Sequence, residues 1–200
     1  MEIKAPYFSY DVLRERAETF LDKYHSQRTI PIPIEEIVEF QFEMDIVPEP
    51  GLHSHFDIDS YITADLQEIR IDEFVYESRP GRYRFSLAHE LGHRVLHKEV
   101  FAKLAFQKIS EWKKLIVSAI PEREYGYLEY QANSFAGLVL VPQTDLAEKY
   151  RDVCSLIESH GISMQNDSEV AQNFIAEHLA EYFVVSPAVI HRRLQYDNHR

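Results

Sequence analysis

Arg84-Phe85-Ser86-Leu87-Ala88-His89-Glu90-Leu91-Gly92-His93-Arg94-Val95-Leu96-His97 is the stretch whose reading decides the fold. Ala88, Leu91, Val95 and Leu96 recur at helical spacing and give the segment an apolar stripe. Each helical residue advances about 100°, so His89 and His93 stand about 40° apart on one face, one turn along the axis. That spacing lets two imidazoles converge on one ion. Glu90 falls at the edge of the same arc, where it can reach a metal-bound water without occupying the metal. The pattern is H-E-x-x-H, the zinc-peptidase arrangement of two His ligands beside a carboxylate base.

Zinc needs a third protein ligand. His97 lies about 12 Å along the axis from His89, too far for both to hold one ion on an unbroken helix. No glycine between His93 and His97 bends the chain away, so His97 reads as a residue at the rim of the site or behind a ligand, supporting it. Glu129 is the better third ligand. It belongs to Tyr127–Pro142, where Ala132, Phe135, Ala136, Val139 and Leu140 form a helical stripe that Pro142 ends. Asn133 follows one turn later on the same face, placed to bond a ligating His and fix its tautomer. Glu122 and Glu124 are the alternatives. His53 and His55 form an H-x-H beside a Pro-Gly turn, which reads as solvated side chains rather than a second site.

Outward from these two helices the chain alternates in type. Residues 9–25 form a helix, capped by Ser9 or Asp11, with Val12, Leu13, Ala17, Phe20, Leu21 and Tyr24 inward. Ile30-Pro31-Ile32-Pro33 breaks it, Ile34–Phe40 starts a short second helix, and Pro48-Glu49-Pro50-Gly51 is a loop. Phe56–Ala64 and Gln67–Asp72 alternate apolar and polar residues and predict two strands joined by a turn near Asp65. A helix capped by Ser110 carries Trp112, read as a packing residue, and ends at Pro121. Thr144 or Asp145 opens a further helix to Ser159, 162–168 is a loop, and Glu169–Phe183 and Pro187–Gln195 are the last helices. The fold class is therefore α+β and mostly helical, with a small antiparallel sheet beside the metal helix and the Glu129 helix. The reading is one domain over 1–200: N-terminal helices in 1–50, strand pair and site helices in 56–142, C-terminal helices in 143–200.

Composition narrows the setting. The chain is 45% hydrophobic and 27% charged, a globular balance. Its formal net charge of −12 argues against a general nucleic-acid surface, because phosphate binding draws on Lys and Arg. The lone Cys154 allows no intrachain disulfide and fits a reducing compartment. No signal-peptide core opens the chain, and no apolar run is long enough to span a bilayer. A cytoplasmic protein with no membrane partner is expected.

Arg84–His93 followed by Leu128-Glu129-Tyr130-Gln131-Ala132-Asn133-Ser134-Phe135-Ala136-Gly137-Leu138-Val139-Leu140-Val141-Pro142 resembles the ImmA/IrrE family of bacterial and phage zinc metallopeptidases. The strand pair and the late Phe183–Leu194 stretch agree more loosely, so the resemblance covers about residues 30–195. It implies one Zn²⁺ held by His89, His93 and Glu129, with Glu90 as catalytic carboxylate. It also implies a substrate: family members typically cut a helix-turn-helix repressor, often encoded alongside, to switch on mobile-element or stress genes. The first thirty residues are too few for a fused DNA-binding domain, so that partner is expected to be separate.

The oxyanion donor stays open among His97, Tyr125, Tyr127 and His191. Two other readings stand beside this one. One is a zinc-bearing regulator that binds a repressor without cutting it. The other is DNA binding through the C-terminal helix pair, whose second helix carries His191, Arg192 and Arg193 at helix-turn-helix spacing.

Overall fold

A computed structural model describes residues 3–104, 111, 120–159 and 169–197. The expected Ser110 helix with Trp112 and the 162–168 loop lie outside them. Helix α1 (Tyr10–Tyr24) opens on Ser9, whose hydroxyl accepts from the Val12 N–H at 3.4 Å. It buries Tyr10, Leu13, Ala17, Phe20 and Leu21, while Val12 lies off the stripe and is exposed. After the proline break, α2 (Ile34–Glu36) widens into a π-helical turn over Ile37–Gln41, burying Ile34, Ile37 and Val38.

The sheet carries a third strand, which runs into the start of the Pro48–Gly51 stretch expected as a loop. Strands β1 (Asp45–Glu49), β2 (Ser60–Ile62) and β3 (Glu68–Asp72) make a three-stranded sheet in the order β1-β3-β2. β2 pairs with β3 antiparallel, as expected, but β1 joins the other side in parallel, so the sheet is mixed. Pro48 sits within β1 opposite Ile71; a proline is tolerated there because β1 is an edge strand and no neighbour needs its missing N–H. The first expected strand also starts later. Leu52–Phe56 form a short helix, α3, that ends at Asp57 with φ 57°. The turn near Asp65 is held by that side chain, which accepts from Thr63 Oγ1 and the Gln67 N–H.

β3 delivers the chain into the metal helix. Ile69 and Ile71 are fully buried on its inner face, and Asp72 caps α4 (Glu73–Ser78) by accepting from the Val75 N–H. Helix α5 (Pro80–Leu96) follows at once with Pro80 in its first turn, where the missing N–H costs nothing. The half-buried Arg84 clamps this helix at two distant points, donating to the Ile32 carbonyl at 2.6 Å and the Val184 carbonyl at 3.1 Å.

α6 (Lys98–Phe101) turns the chain away, and α7 (Glu122–Leu140) returns against α5. α5 packs along α7, and Leu87, Ala88 and Leu91 of the first and Ala132, Phe135 and Ala136 of the second are fully buried. α1 closes over α7, with Phe20 edge-on to Phe135 at 5.4 Å between centroids. Helices α8 (Gln143–Ser159), α9 (Glu169–Phe183) and α10 (Pro187–Asp197) complete the chain, the last two joined through Val184 and Ser186.

Gly92 sets how closely α5 and α7 approach: a Cβ there would lie 3.2 Å from the Ala132 Cα and 3.3 Å from the Phe135 ring. Replacing Gly92 with Val should therefore push the helices apart and cost about 1–3 kcal/mol, despite removing a helix-interior glycine. Urea denaturation of the metal-free protein measures it, and an unchanged midpoint would contradict the packing described.

Candidate metal centre

Two elements bring the site together. On α5, His89 and His93 lie one turn apart and edge-to-face, with ring centroids 4.8 Å apart and their Nε2 atoms 3.1 Å from each other. On α7, Glu129 reaches across the helix contact. Its Oε2 lies 3.4 Å from His89 Nε2 and its Oε1 lies 3.5 Å from His93 Nε2. His89, Glu90 and His93 also offer donor atoms all within 4.8 Å of one another.

These separations can be tested against an ion. Zinc takes imidazole nitrogen and carboxylate oxygen at about 2.0–2.2 Å in tetrahedral array, which sets neighbouring donors about 3.3 Å apart. The distances of 3.1, 3.4 and 3.5 Å match that spacing. Both histidines have their other nitrogen engaged: His89 Nδ1 lies 3.2 Å from Asn133 Oδ1, and His93 Nδ1 lies 3.0 Å from His97 Nδ1. An amide oxygen only accepts, so His89 Nδ1 carries a proton. The donor set thus fits a divalent cation with three protein ligands and a position left open.

Charge at the site points the same way. Burial disfavours the charged His89 imidazole, but its hydrogen bond to Glu129 and the charges of Glu90 and Glu129 overcome this and raise it to about 9. Burial pushes the Glu129 carboxyl up, yet the two imidazoles hold it far below the ordinary carboxylate range. His97 is fully buried, and burial followed by the neighbouring His93 depresses it to about 3.

Glu90 is buried beside the ligand set and accepts from Ser60 Oγ at 2.6 Å through Oε1. It faces a groove of about 240 Å³ lined by β2, Phe85, Phe101 and Tyr125. Burial, then the charge and hydrogen bond of Glu129, raise the Tyr125 hydroxyl far above its usual range.

The remaining candidates fall elsewhere. Glu124 accepts from the Ala5 N–H at 2.7 Å and anchors the N-terminal segment, and Glu122 is exposed. His53 pairs with Asp59 at 3.2 Å while His55 bonds the Gly51 carbonyl, so the H-x-H pair does not converge. Tyr127 is exposed and bonded by Arg123, and His191 is exposed on α10. His97 sits in the interior behind His93 rather than on the rim. Two participants carry no sequence signal: Ser60, in a strand 30 positions before Glu90, and Gln131, which bonds His97 across 34 positions.

The model of the Peptidase_M78 family, described as the IrrE N-terminal-like domain, matches residues 42–195. The chain belongs to this peptidase family. No curated protein matches it significantly. Among solved structures, a Mycobacterium tuberculosis transcriptional regulator is similar, with a TM-score of 0.57 and 16% identity over 94% of this chain. The matched region is 47% of that regulator, so the chain spans about half its length and shares its fold. Among the described residues no helix is long and apolar enough to cross a membrane.

For a Peptidase_M78 domain so arranged, zinc should return stability to chelator-stripped protein. Free zinc at one hundred times its Kd is expected to add about 2.7 kcal/mol, read as a rise in Tm by calorimetry. The raised His89 retains its proton below about pH 9, and the cation must displace it. Affinity should climb about tenfold per pH unit on the way up. A zinc Kd that stays flat between about pH 6 and pH 8 would count against His89 as the proton's site.

Proposed function

We propose that this domain is a zinc-dependent endopeptidase in which His89, His93 and Glu129 hold one Zn²⁺ and Glu90 is the acid–base group. The observation that carries the reading is the unequal placement of two glutamates. Both oxygens of Glu129 face imidazole nitrogens, whereas Glu90 stands aside with Oε1 bonded to Ser60.

The bound cation would polarise the scissile carbonyl and acidify a water. Glu90 takes a proton from the attacking water and passes it to the leaving amine. The Ser60 hydroxyl holds one Glu90 oxygen and leaves the other free for that transfer. Asn133 keeps the His89 ring oriented. Of the four hydroxyl and imidazole candidates for the oxyanion, Tyr125 alone lines the groove among the described residues, and we assign it that role. β2 is a sheet edge, and Ser60, Tyr61 and Ile62 line the same groove, so an extended substrate segment can lie along it and gain main-chain hydrogen bonds.

The substrate we infer is a helix-turn-helix repressor, met in the cytoplasm. The transcriptional character of the structural neighbour supports a partner in gene control. Direct DNA binding by the C-terminal pair is disfavoured by Arg193. That side chain is 3% exposed, donates to the Val141 carbonyl and Tyr10, and pairs with Asp197. A cation spent in the core is not offered to phosphate.

Co-expression with a helix-turn-helix repressor encoded beside this gene, where there is one, tests the assignment. The natural chain should cut it, and Glu90→Gln should bind zinc at full stoichiometry yet leave it intact. Ser60→Ala should lower kcat/KM about tenfold, or about 1.4 kcal/mol in the barrier. Cleavage by Glu90→Gln at the natural rate would sink Glu90 as the base. A repressor bound but never cut by the natural chain would establish the non-cleaving regulator instead.

A further inference from the structure

Behind His93, on the side away from the groove, a line of hydrogen bonds runs to the N-terminal segment. It begins at the Pro6 carbonyl, a group that can only accept. Gln131 Nε2 donates to it at 2.6 Å. That bond orients the Gln131 amide, turning Oε1 toward His97 Nε2 at 2.9 Å. Since Oε1 also only accepts, the proton of a neutral His97 must sit on Nε2, leaving Nδ1 bare. His97 Nδ1 lies 3.0 Å from His93 Nδ1, so His93 must supply the proton of that contact. The remaining nitrogen of His93, Nε2, is left as a lone pair facing Glu129 and His89.

We infer that Gln131 is a positioning residue that, anchored by the Pro6 carbonyl, sets the tautomer of His93 in which Nε2 is free to bind the cation. This rests on the reading of His93 as a ligand. The three side chains are buried, with Gln131 at 1%, His97 at 0% and His93 at 4% exposure, so water cannot substitute for a lost partner. The anchor is itself fixed. Ile3 is buried, and the Ala5 N–H donates to Glu124 on α7 at 2.7 Å, holding the segment across the helix that carries Gln131. Residues 3–8 precede the stretch matched by the family model. A segment outside the matched region therefore reaches a metal ligand through three hydrogen bonds.

The relay differs from simple packing in what it predicts for protons. Imidazole ¹⁵N spectra of the zinc-free natural protein should show His97 protonated on Nε2 alone. Gln131→Met keeps the bulk but can neither orient nor accept. It should let His97 populate the Nδ1-protonated form and weaken zinc binding about 10- to 100-fold, measured with a competing chelator. Two results would overturn the inference: His97 of the natural protein protonated on Nδ1, or an unchanged zinc Kd in a folded Gln131→Met. If that variant does not fold, the natural protein's spectrum still decides. Failure of the metal reading looks different. A natural protein that binds no zinc would refute His93 as a ligand, whatever tautomer His97 shows.

Discussion

The closeness of α5 and α7 is the constraint on which the rest depends. Gly92 faces the Ala132 backbone so closely that a Cβ would lie 3.2 Å from the Ala132 Cα, and Ala132 and Ala136 are fully buried on α7. A carboxylate reaches only a few ångströms from its Cα, so a wider interhelix gap would strand Glu129 short of the imidazoles. With the helices in contact, both its oxygens arrive within 3.5 Å of a nitrogen. Apolar packing thus sets the geometry of the donor groups.

The surrounding elements stiffen this seam. Arg84 ties the start of α5 both to the segment before α2 and to the turn after α9. A Cβ on Gly81 would meet the Val185 carbonyl carbon at 3.0 Å, so the turn between the last two helices sits directly on the metal helix. Arg193 does the corresponding service at the end of α7 by capping the Val141 carbonyl. The C-terminal pair, which has the spacing of a DNA reader, therefore acts as a brace.

What could be read from sequence follows from periodicity. Two histidines at i and i+4, and a carboxylate and amide at i and i+4 on a second amphipathic helix, declare their shared faces without a structure. His97 could be removed from the ligand set by axial distance alone. Contacts between elements leave no such trace. Ser60 meets Glu90 because a strand crosses a helix, and Gln131 meets His97 because two helices pack in one register. β1 was hidden for a different reason. Prolines at 48 and 50 are turn signals, and only the edge position in the sheet makes Pro48 compatible with a strand.

The two glutamates show how placement rather than residue type divides the chemistry. A carboxylate whose two oxygens face imidazole nitrogens that donate hydrogen bonds and share a positive charge is held ionised, and its proton affinity is suppressed. Under the proposed mechanism, that makes it the ligand rather than the base. Glu90 is tied through one oxygen to a neutral hydroxyl, which leaves its second oxygen unclaimed by the ligand set and open to the groove. Exchange these surroundings and the roles exchange with them, since nothing in either side chain alone distinguishes holding a cation from moving a proton. The work of the fold is to keep the two environments apart across a few ångströms, with Ser60 on one side and the paired histidines on the other.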